Sequence, residues 1–400
     1  ELRILCGMRL SPWTISALIF AIGTFAMGTD LFVLAGIVPQ LSAGLHIPAA
    51  AAGQVISVFA LTYAVGAPLL STATASVARR PLLVGALVLF AAANLAAACA
   101  PTLALLLVAR IVAAIGAALF TPTASACAAM LAGPAHRGRA LAIVLGGLTV
   151  GTVLGVPVGT LIGQHWGWPA SLVFVAAVAL LAVIPVMTRA LSAPPPAVPL
   201  RARVAVLADP RVALVVGVTT LSTASGILVY TYIAPILAAS VHVSDHALAI
   251  ALLIWGLGGT AGAFASGWLA DRYGANRTLL VAILMTAASL WLLGLARAAW
   301  QIAPLMATFG AAGWAITTPN NHRLTAIVPA QPAVVISFNA SGTYLGQAIG
   351  ALGGGALLGA HVPPVDLCSA GALIALLALA LQLVSMREAP IAAPNSAPSP

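Results

Sequence analysis

The sequence predicts an all-α membrane protein of twelve transmembrane helices arranged as two sets of six. Three observations carry that prediction. Of the 400 residues, 62% are hydrophobic and 6% are charged, with a mean hydropathy of +1.11, whereas a soluble domain needs roughly 25% charged residues to face water. The apolar residues gather into long stretches punctuated by Pro, Gly and Arg. One long break in hydrophobicity, at 188–211, divides the chain into halves of nearly equal length.

A helix needs about 20 apolar residues to cross the hydrocarbon layer. In the first half such stretches lie at 14–37, 49–74, 81–100, 102–130, 140–163 and 168–188 (spans 1 to 6). In the second half they lie at 211–238, 246–268, 278–296, 300–321, 334–359 and 364–386 (spans 7 to 12). The first stretch is too long for a signal-peptide core and has no small-residue cleavage site, so a retained span is expected. The break "TRALSAPPPAVPLRARVAVLADPR" holds three consecutive prolines and four arginines, which no spanning helix accommodates. It is expected to be a cytoplasmic linker at 189–210. The flanking domains, 14–188 and 211–386, are 175 and 176 residues long with six spans each, as a duplication would leave them. The tail at 387–400, "REAPIAAPNSAPSP", has the composition of a disordered segment.

Arginine placement sets the orientation. With the N-terminus inside, the inner segments hold 14 of the 16 basic residues, all of them Arg: 3, 9, 79, 80, 137, 139, 189, 201, 203, 211, 272, 277, 323 and 387. The outer loops hold only Arg297, and Arg110 falls within a span. Such a bias places both termini in the cytoplasm of a multi-pass protein of the plasma (bacterial inner) membrane. It also accounts for the net charge of +9 without a nucleic-acid partner.

Two ionisable side chains remain inside spans, Asp30 and Arg110. Each costs about 2.5–3.5 kcal/mol near a helix centre, and such residues face a bundle interior or a polar path. Asp30 lies seven residues before the outer end of span 1 and Arg110 eight residues after the outer start of span 4, about 10 and 12 Å deep at 1.5 Å per residue. At matching depth, the two form an ion pair if their spans are neighbours. A fixed bridge between helices is one reading. The other is a switch: burial disfavours a charged carboxylate and a guanidinium favours it, so a carboxylate caught between them responds to hydration and partner. Proton-coupled transport needs that property.

No enzyme signature accompanies these charges. The sequence has no G-x-S-x-G paired with an in-span acid, no H-E-x-x-H, and no G-x-x-x-x-G-K-[ST] for nucleotide-driven work. The cysteines, Cys6, Cys99, Cys127 and Cys368, are scattered without metal-ligand spacing, and no metal or cofactor is expected.

Four motifs point to a family. "GWLADRYGANR" (267–277) between spans 8 and 9 resembles the loop signature G-x-L-A-D-R-x-G-R-[RK] of the major facilitator superfamily. Gly267, Leu269, Asp271, Arg272, Gly274 and Arg277 match, while Ala275-Asn276 departs from it. The equivalent first-half loop, "STATASVARRPLL" (71–83), keeps Arg79, Arg80 and Leu83 but has Ser71, Ala75 and Ala78 where the family has Gly, Asp and Gly. Span 4 reads "RIVAAIGAAL" (110–119), similar to R-x-x-Q-G-x-G-A-A, with Arg110 and Gly116 kept. Span 5 reads "GTVLGVPVGTLIG" (151–163), whose glycines recur every four residues as a close-packing stripe, with Pro157 as a kink site. It resembles the antiporter motif of drug:proton exporters at Gly151, Gly155, Pro157 and Gly159. "GTDLFVLAGIVPQL" (28–41) resembles the first span of the arabinose-efflux and chloramphenicol-exporter branch.

The resemblance covers about 14–386 and implies two six-helix bundles in which spans 1, 4, 7 and 10 line a central cavity. It implies proton coupling at Asp30 and Arg110, a cytoplasmic gating loop at 267–277, and a cavity to which Asp30, Tyr230 and Trp314 contribute. Asn94, Asn339 and Gln347 are expected as interhelical contacts, and Asn320-Asn321 as hydrogen-bonding groups near the cavity. The expected partners are a small-molecule substrate, protons and the bilayer, for a monomer. The expected function is export of small, mainly apolar or amphipathic compounds in exchange for protons, with sugar or nucleoside efflux as the alternative.

Overall fold

The computed structural model describes residues 11–188, 205–241 and 244–388. Most of the expected linker and the expected tail beyond Glu388 lie outside the described residues. Every regular element among those described is helical. Among the described residues, nine helical stretches are long and apolar enough to cross a membrane. One of these, Leu103–Trp166, contains two passes, and neither span 10 nor the glycine-rich span 11 is among the nine, so the described residues make twelve passes.

Span 1 is Pro12–Gly36, span 3 Arg79–Ala98, span 6 Trp168–Met187, span 7 Pro210–Thr231, span 8 Asp245–Tyr273, span 9 Ala275–Leu295, span 11 Pro332–Gly359 and span 12 Asp366–Glu388. Several starts follow local rules. Thr102 accepts from the Leu105 N–H at the head of span 4, Ser244 from Ala247 N–H at span 8, and Asp209 from Arg211 N–H at span 7, each filling a donor left over by the first turn. Pro12, Pro210 and Pro332 sit in the first turns, where a missing N–H costs nothing.

Spans 4 and 5 do not have the expected loop between them. The helix runs to 132, turns on Gly133 at φ 68°, ψ 177°, and resumes at Pro134; only glycine adopts that conformation without strain. Arg137 and Arg139 therefore sit in the first turns of span 5 rather than in a connecting loop. Gly274, at φ 88°, makes the equally short joint between spans 8 and 9. Span 10 departs further from expectation: it is two helices, Ala299–Trp314 and Thr317–Ile327, broken at Ala315–Ile316. Pro319 has no N–H to offer the Ala315 carbonyl, which is sufficient local cause.

The chain divides into two compact units. The first takes in the described residues up to His46 and from 66 to 188. In it, span 1 packs along spans 4 to 6, and its inward face from Ser16 to Gly36 is buried. The second takes in 47–65 and the described residues from 205 on. Its core joins Val212 and Val215 of span 7 to Leu324 and Val335, and Val218 to Leu279, Ile283 and Ala378 of spans 9 and 12. Residues 47–65, which begin span 2, pack within this unit, where Tyr63 stacks on Tyr344 of span 11 at 3.8 Å between ring centroids. Large apolar side chains such as Phe264 and Trp300, 80% and 75% exposed, face outward, as a lipid-facing surface requires.

Candidate functional site

Asp30 and Arg110 meet. The Arg110 guanidinium donates from Nη1 to Asp30 Oδ1 at 2.7 Å, with both side chains at most 1% exposed. Asp30 lies six residues before the end of its helix and Arg110 seven residues after the start of its own, about 9 and 10 Å along each axis, so the depth match holds in three dimensions. The pair is one of two ion pairs among the described residues; the other, Arg211 with Asp209, is on the surface.

A third residue completes the site. Arg110 Nη1 also donates to Asn94 Oδ1 at 3.3 Å, and Asn94 Nδ2 donates back to the Phe90 carbonyl of its own helix at 3.0 Å. That backbone bond fixes which way the amide points. The Asn94 side chain, wholly buried, is thus a ligand of the guanidinium and not merely an interhelical contact. Asn94 lies four residues before the end of span 3, a position that by itself does not distinguish it from an ordinary interhelical contact. Asp30 Oδ2 accepts no hydrogen bond from any described group. One carboxylate oxygen is therefore held by the cation, and the other is left without a hydrogen-bond partner among the described residues.

The glycine stripe holds span 1 in place. A Cβ at Gly151 would fall on the Phe25 carbonyl oxygen, one at Gly155 on Thr29 Oγ1, and one at Gly159 2.7 Å from a Val33 methyl. Every glycine of the motif thus faces the helix that carries Asp30. The close approach permits hydrogen bonds between helices: Thr24 Oγ1 donates to the Val144 carbonyl at 2.6 Å and Thr29 Oγ1 to that of Gly151 at 3.2 Å. Residues Gly151–Gly155 form a π-helical turn just before Pro157, a local widening often found at functional sites.

The 267–277 loop, a gating loop by resemblance, joins spans 8 and 9. Asp271, Arg272 and Arg277 are all exposed, and none forms an ion pair among the described residues. Arg272 lies over the rings of Trp268 and Tyr273, 5.4 and 5.7 Å from their centroids. In the first-half loop, which lacks the acidic residue, Arg79 donates to the Thr74 and Ala75 carbonyls at 3.5 and 3.4 Å. It caps the end of span 2, where a cation is favoured by the helix dipole.

Tyr230 and Trp314 belong to one aromatic cluster around Trp255 of span 8, with centroid distances of 4.2 and 5.7 Å. Tyr230 is 2% exposed. Trp314 lies against Gly259, so both contribute to packing of spans 7, 8 and 10. Tyr232 is also buried, its hydroxyl donating to the Ala351 carbonyl at 3.0 Å. Asn320 and Asn339 join a chain of hydrogen bonds: Asn320 donates to Thr219, Thr219 to Asn339, and Asn339 to Asn321, at 2.8, 2.6 and 2.8 Å.

Arg323, counted among the inner-segment charges and beyond the expected end of span 10 at 321, lies within the helix Thr317–Ile327. It is wholly buried, with Nη1 donating to Gln382 Oε1 at 2.6 Å and Nη2 to Ser385 Oγ at 2.7 Å. Neutral oxygens of span 12 solvate it in place of a carboxylate. Cys127 and Cys368 are buried free thiols, and Cys6 lies outside the described residues. No cluster of metal-ligating side chains occurs among the described residues.

Comparison with known proteins agrees with this architecture. The family model of the major facilitator superfamily matches residues 20–214 and 213–399. The chain is 32% identical over 382 residues to the inner membrane transport protein YdhP of Escherichia coli (strain K12), covering 93% of this chain and 96% of that one. It is 36% identical over 259 residues to a chloramphenicol resistance protein of Streptomyces lividans, covering 64% and 66% of the two chains. Among solved structures, the nucleoside transporter NupG superposes with a TM-score of 0.76 at 15% identity, covering 93% of this chain and 98% of that one. A D-xylose-proton symporter gives 0.75 at 18% identity, with 93% and 97% covered; at these identities the likeness is one of fold. The chain belongs to the major facilitator superfamily, and is a multi-pass membrane transporter of small molecules rather than an enzyme.

Proposed function

We propose that this transporter exports small, mainly apolar or amphipathic compounds in exchange for protons, and that Asp30 is where the proton binds. The observation that carries the proposal is the buried Asp30–Arg110 pair with one carboxylate oxygen unengaged. When Asp30 is charged, Arg110 compensates for its burial. When Asp30 is protonated, that attraction falls away and the guanidinium leans on Asn94. Two states that differ in electrostatic stabilisation are what coupling requires, because a ligand indifferent to them shifts nothing. The chloramphenicol resistance relative supports a drug-like cargo, and the glycine stripe against span 1 supports the antiporter type. The reading includes a monomer of two six-helix bundles at 14–188 and 211–386, joined by a linker at 189–210. Both termini face the cytoplasm, and the 267–277 loop acts in gating on that side.

The test is uptake of chloramphenicol into inverted membrane vesicles under an imposed pH gradient. Asp30→Asn should insert, express and bind, yet lose accumulation against a gradient. A static bridge predicts otherwise: removing one partner strands the other at a cost of about 3–5 kcal/mol, and neutralising both restores expression and transport. Under the coupling reading, the double variant Asp30→Asn/Arg110→Gln stays inactive at normal expression. Asp30→Asn vesicles that still concentrate cargo would refute the assignment.

A further inference from the structure

A recess of about 490 Å³ opens on the outward face of the second unit between spans 8, 9 and 10. Its floor is cut by small residues, Gly262, Ala311 and Ala315, the last at the break in span 10, and Val281 and Met285 form a wall. Val281 is 56% exposed and Met285 42%, so the recess faces the bilayer rather than the interior of the unit. The lining is apolar except at one end, where Tyr273, Arg277 and Thr278 stand at the joint between spans 8 and 9. The Thr278 hydroxyl is already committed to the Gly274 carbonyl at 3.0 Å. Among the described residues Arg277 forms no ion pair, and it is exposed.

The dimensions are those of one leaflet. From Arg277 to Met285 is eight residues and from Tyr273 back to Gly262 eleven, about 12 and 16 Å at 1.5 Å per residue. Half of a hydrocarbon core about 30 Å thick is about 15 Å. The recess thus begins at headgroup level, where a cation waits, and ends near the bilayer centre. Its volume lies in the range of about 300–1,000 Å³ typical of small-ligand sites. Charge at the mouth favours an anion: Arg277 and Arg272 outnumber Asp271, and Arg272 is pinned over the rings of Trp268 and Tyr273. Basic groups at the cytoplasmic ends of membrane helices recognise anionic headgroups.

We propose that this recess is a resident site for an anionic phospholipid, one acyl chain lying along spans 8 to 10 and the phosphate held by Arg277 beside the Tyr273 ring. The leaflet is the cytoplasmic one in the orientation proposed above; the site itself does not depend on the transported compound. Its position beside the 267–277 loop makes the lipid a neighbour of the segment assigned to gating.

The experiment is native mass spectrometry of the full chain released from nanodiscs of phosphatidylcholine containing one-tenth phosphatidylglycerol, counting retained lipid. Wild type should retain one phosphatidylglycerol in preference to phosphatidylcholine. Arg277→Gln should reduce that preference about fivefold, since one basic residue contributes about 1 kcal/mol at a lipid surface. Ala265→Phe, whose side chain would enter the recess from an exposed position, should abolish retention of either lipid. Equal retention of both lipids by wild type, or retention unchanged in Arg277→Gln, would mean an ordinary annular lipid and overturn the proposal. So would full retention in Ala265→Phe, or displacement of the lipid by chloramphenicol. None of these readouts uses transport, so failure of the export reading and failure of this one remain distinguishable.

Discussion

Gly146 and Gly147 are adjacent in span 5, yet replacing each with alanine should have opposite consequences. A Cβ at Gly146 meets nothing within 4 Å. A Cβ at Gly147 would fall on the Ala21 carbonyl oxygen and on Thr24 Oγ1, with Ala21 Cα at 2.7 Å. Backbone atoms cannot move aside as a flexible side chain can, so spans 1 and 5 must separate. Overpacking of this kind costs about 1–3 kcal/mol. Displacing Thr24 also breaks its 2.6 Å hydrogen bond to the Val144 carbonyl, worth about 0.5–1.5 kcal/mol. The gain from exchanging glycine for alanine in a helix, up to about 1 kcal/mol, is common to both variants and cancels in their comparison. Gly147→Ala should therefore be about 1.5–4.5 kcal/mol less stable than Gly146→Ala. Unfolding of the purified protein in mixed micelles of rising denaturing-detergent fraction measures that difference. Two variants equal within about 0.5 kcal/mol, the scatter of neutral surface changes, would show that the packing of spans 1 and 5 does not rest on the glycines.

Gln382→Leu removes the oxygen that accepts from Arg323 Nη1 at 2.6 Å; a hydrogen bond to a charged group is worth about 1.5–3 kcal/mol, so the same assay should show a loss of that size, with Gln382→Glu milder than Gln382→Leu. The Arg211 hydrogen bond beside Asp209 holds its carboxyl below the usual value of 3.8, and a depressed carboxylate contributes stability above its unfolded value that is lost as pH falls through the folded one. Asp209→Asn should accordingly lower the melting temperature slightly at pH 7 and leave it equal to wild type once the pH is well below 3.8; a difference that persists in acid would assign the effect to shape rather than charge.

What the sequence discloses and what it hides follow from cost. Asp30 and Arg110 are legible because a charge inside an apolar helix is expensive enough to demand a partner, and helical rise converts position into depth. Asn94 is cheap to bury, so nothing in its own helix separates a guanidinium ligand from an ordinary interhelical contact. Arg323 hides for a different reason. It follows "PNNH", a polar run that reads as the end of span 10, and its burial depends on Gln382 and Ser385 some 60 residues away. The four-residue spacing of Gly151, Gly155 and Gly159 announces a close contact, but only the structure shows that the contact is with the helix of Asp30. The break in span 10 had a local signal in Pro319, whereas the π-helical turn at Gly151–Gly155 had none. Spans 4 and 5 were separated correctly in kind and wrongly in length, because one positive-φ glycine replaces a loop.

The rigidity of span 1 bears on how a proton at Asp30 is read out. The residues before the carboxylate have no slack: Gly28 lies on the Leu148 carbonyl, and Thr29 is bonded to the Gly151 carbonyl and wedged against Gly155. Three residues on, Val33 closes over Gly159. Interiors packed this closely transmit displacement instead of absorbing it, so Asp30 cannot withdraw by a small shift of its own backbone. Under the proposed coupling, the moving partner is then the Arg110 guanidinium, at the end of a long side chain. A neutral acceptor already stands 3.3 Å away, the Asn94 carbonyl oxygen, and the Phe90 carbonyl keeps the amide turned toward the arginine. Protonation of Asp30 removes the charge attraction but leaves Arg110 a place to rest, which spares the cost of an uncompensated buried cation. Under the proposed coupling, a fixed acid, a movable cation and a neutral second acceptor are a set in which one proton decides where the guanidinium rests.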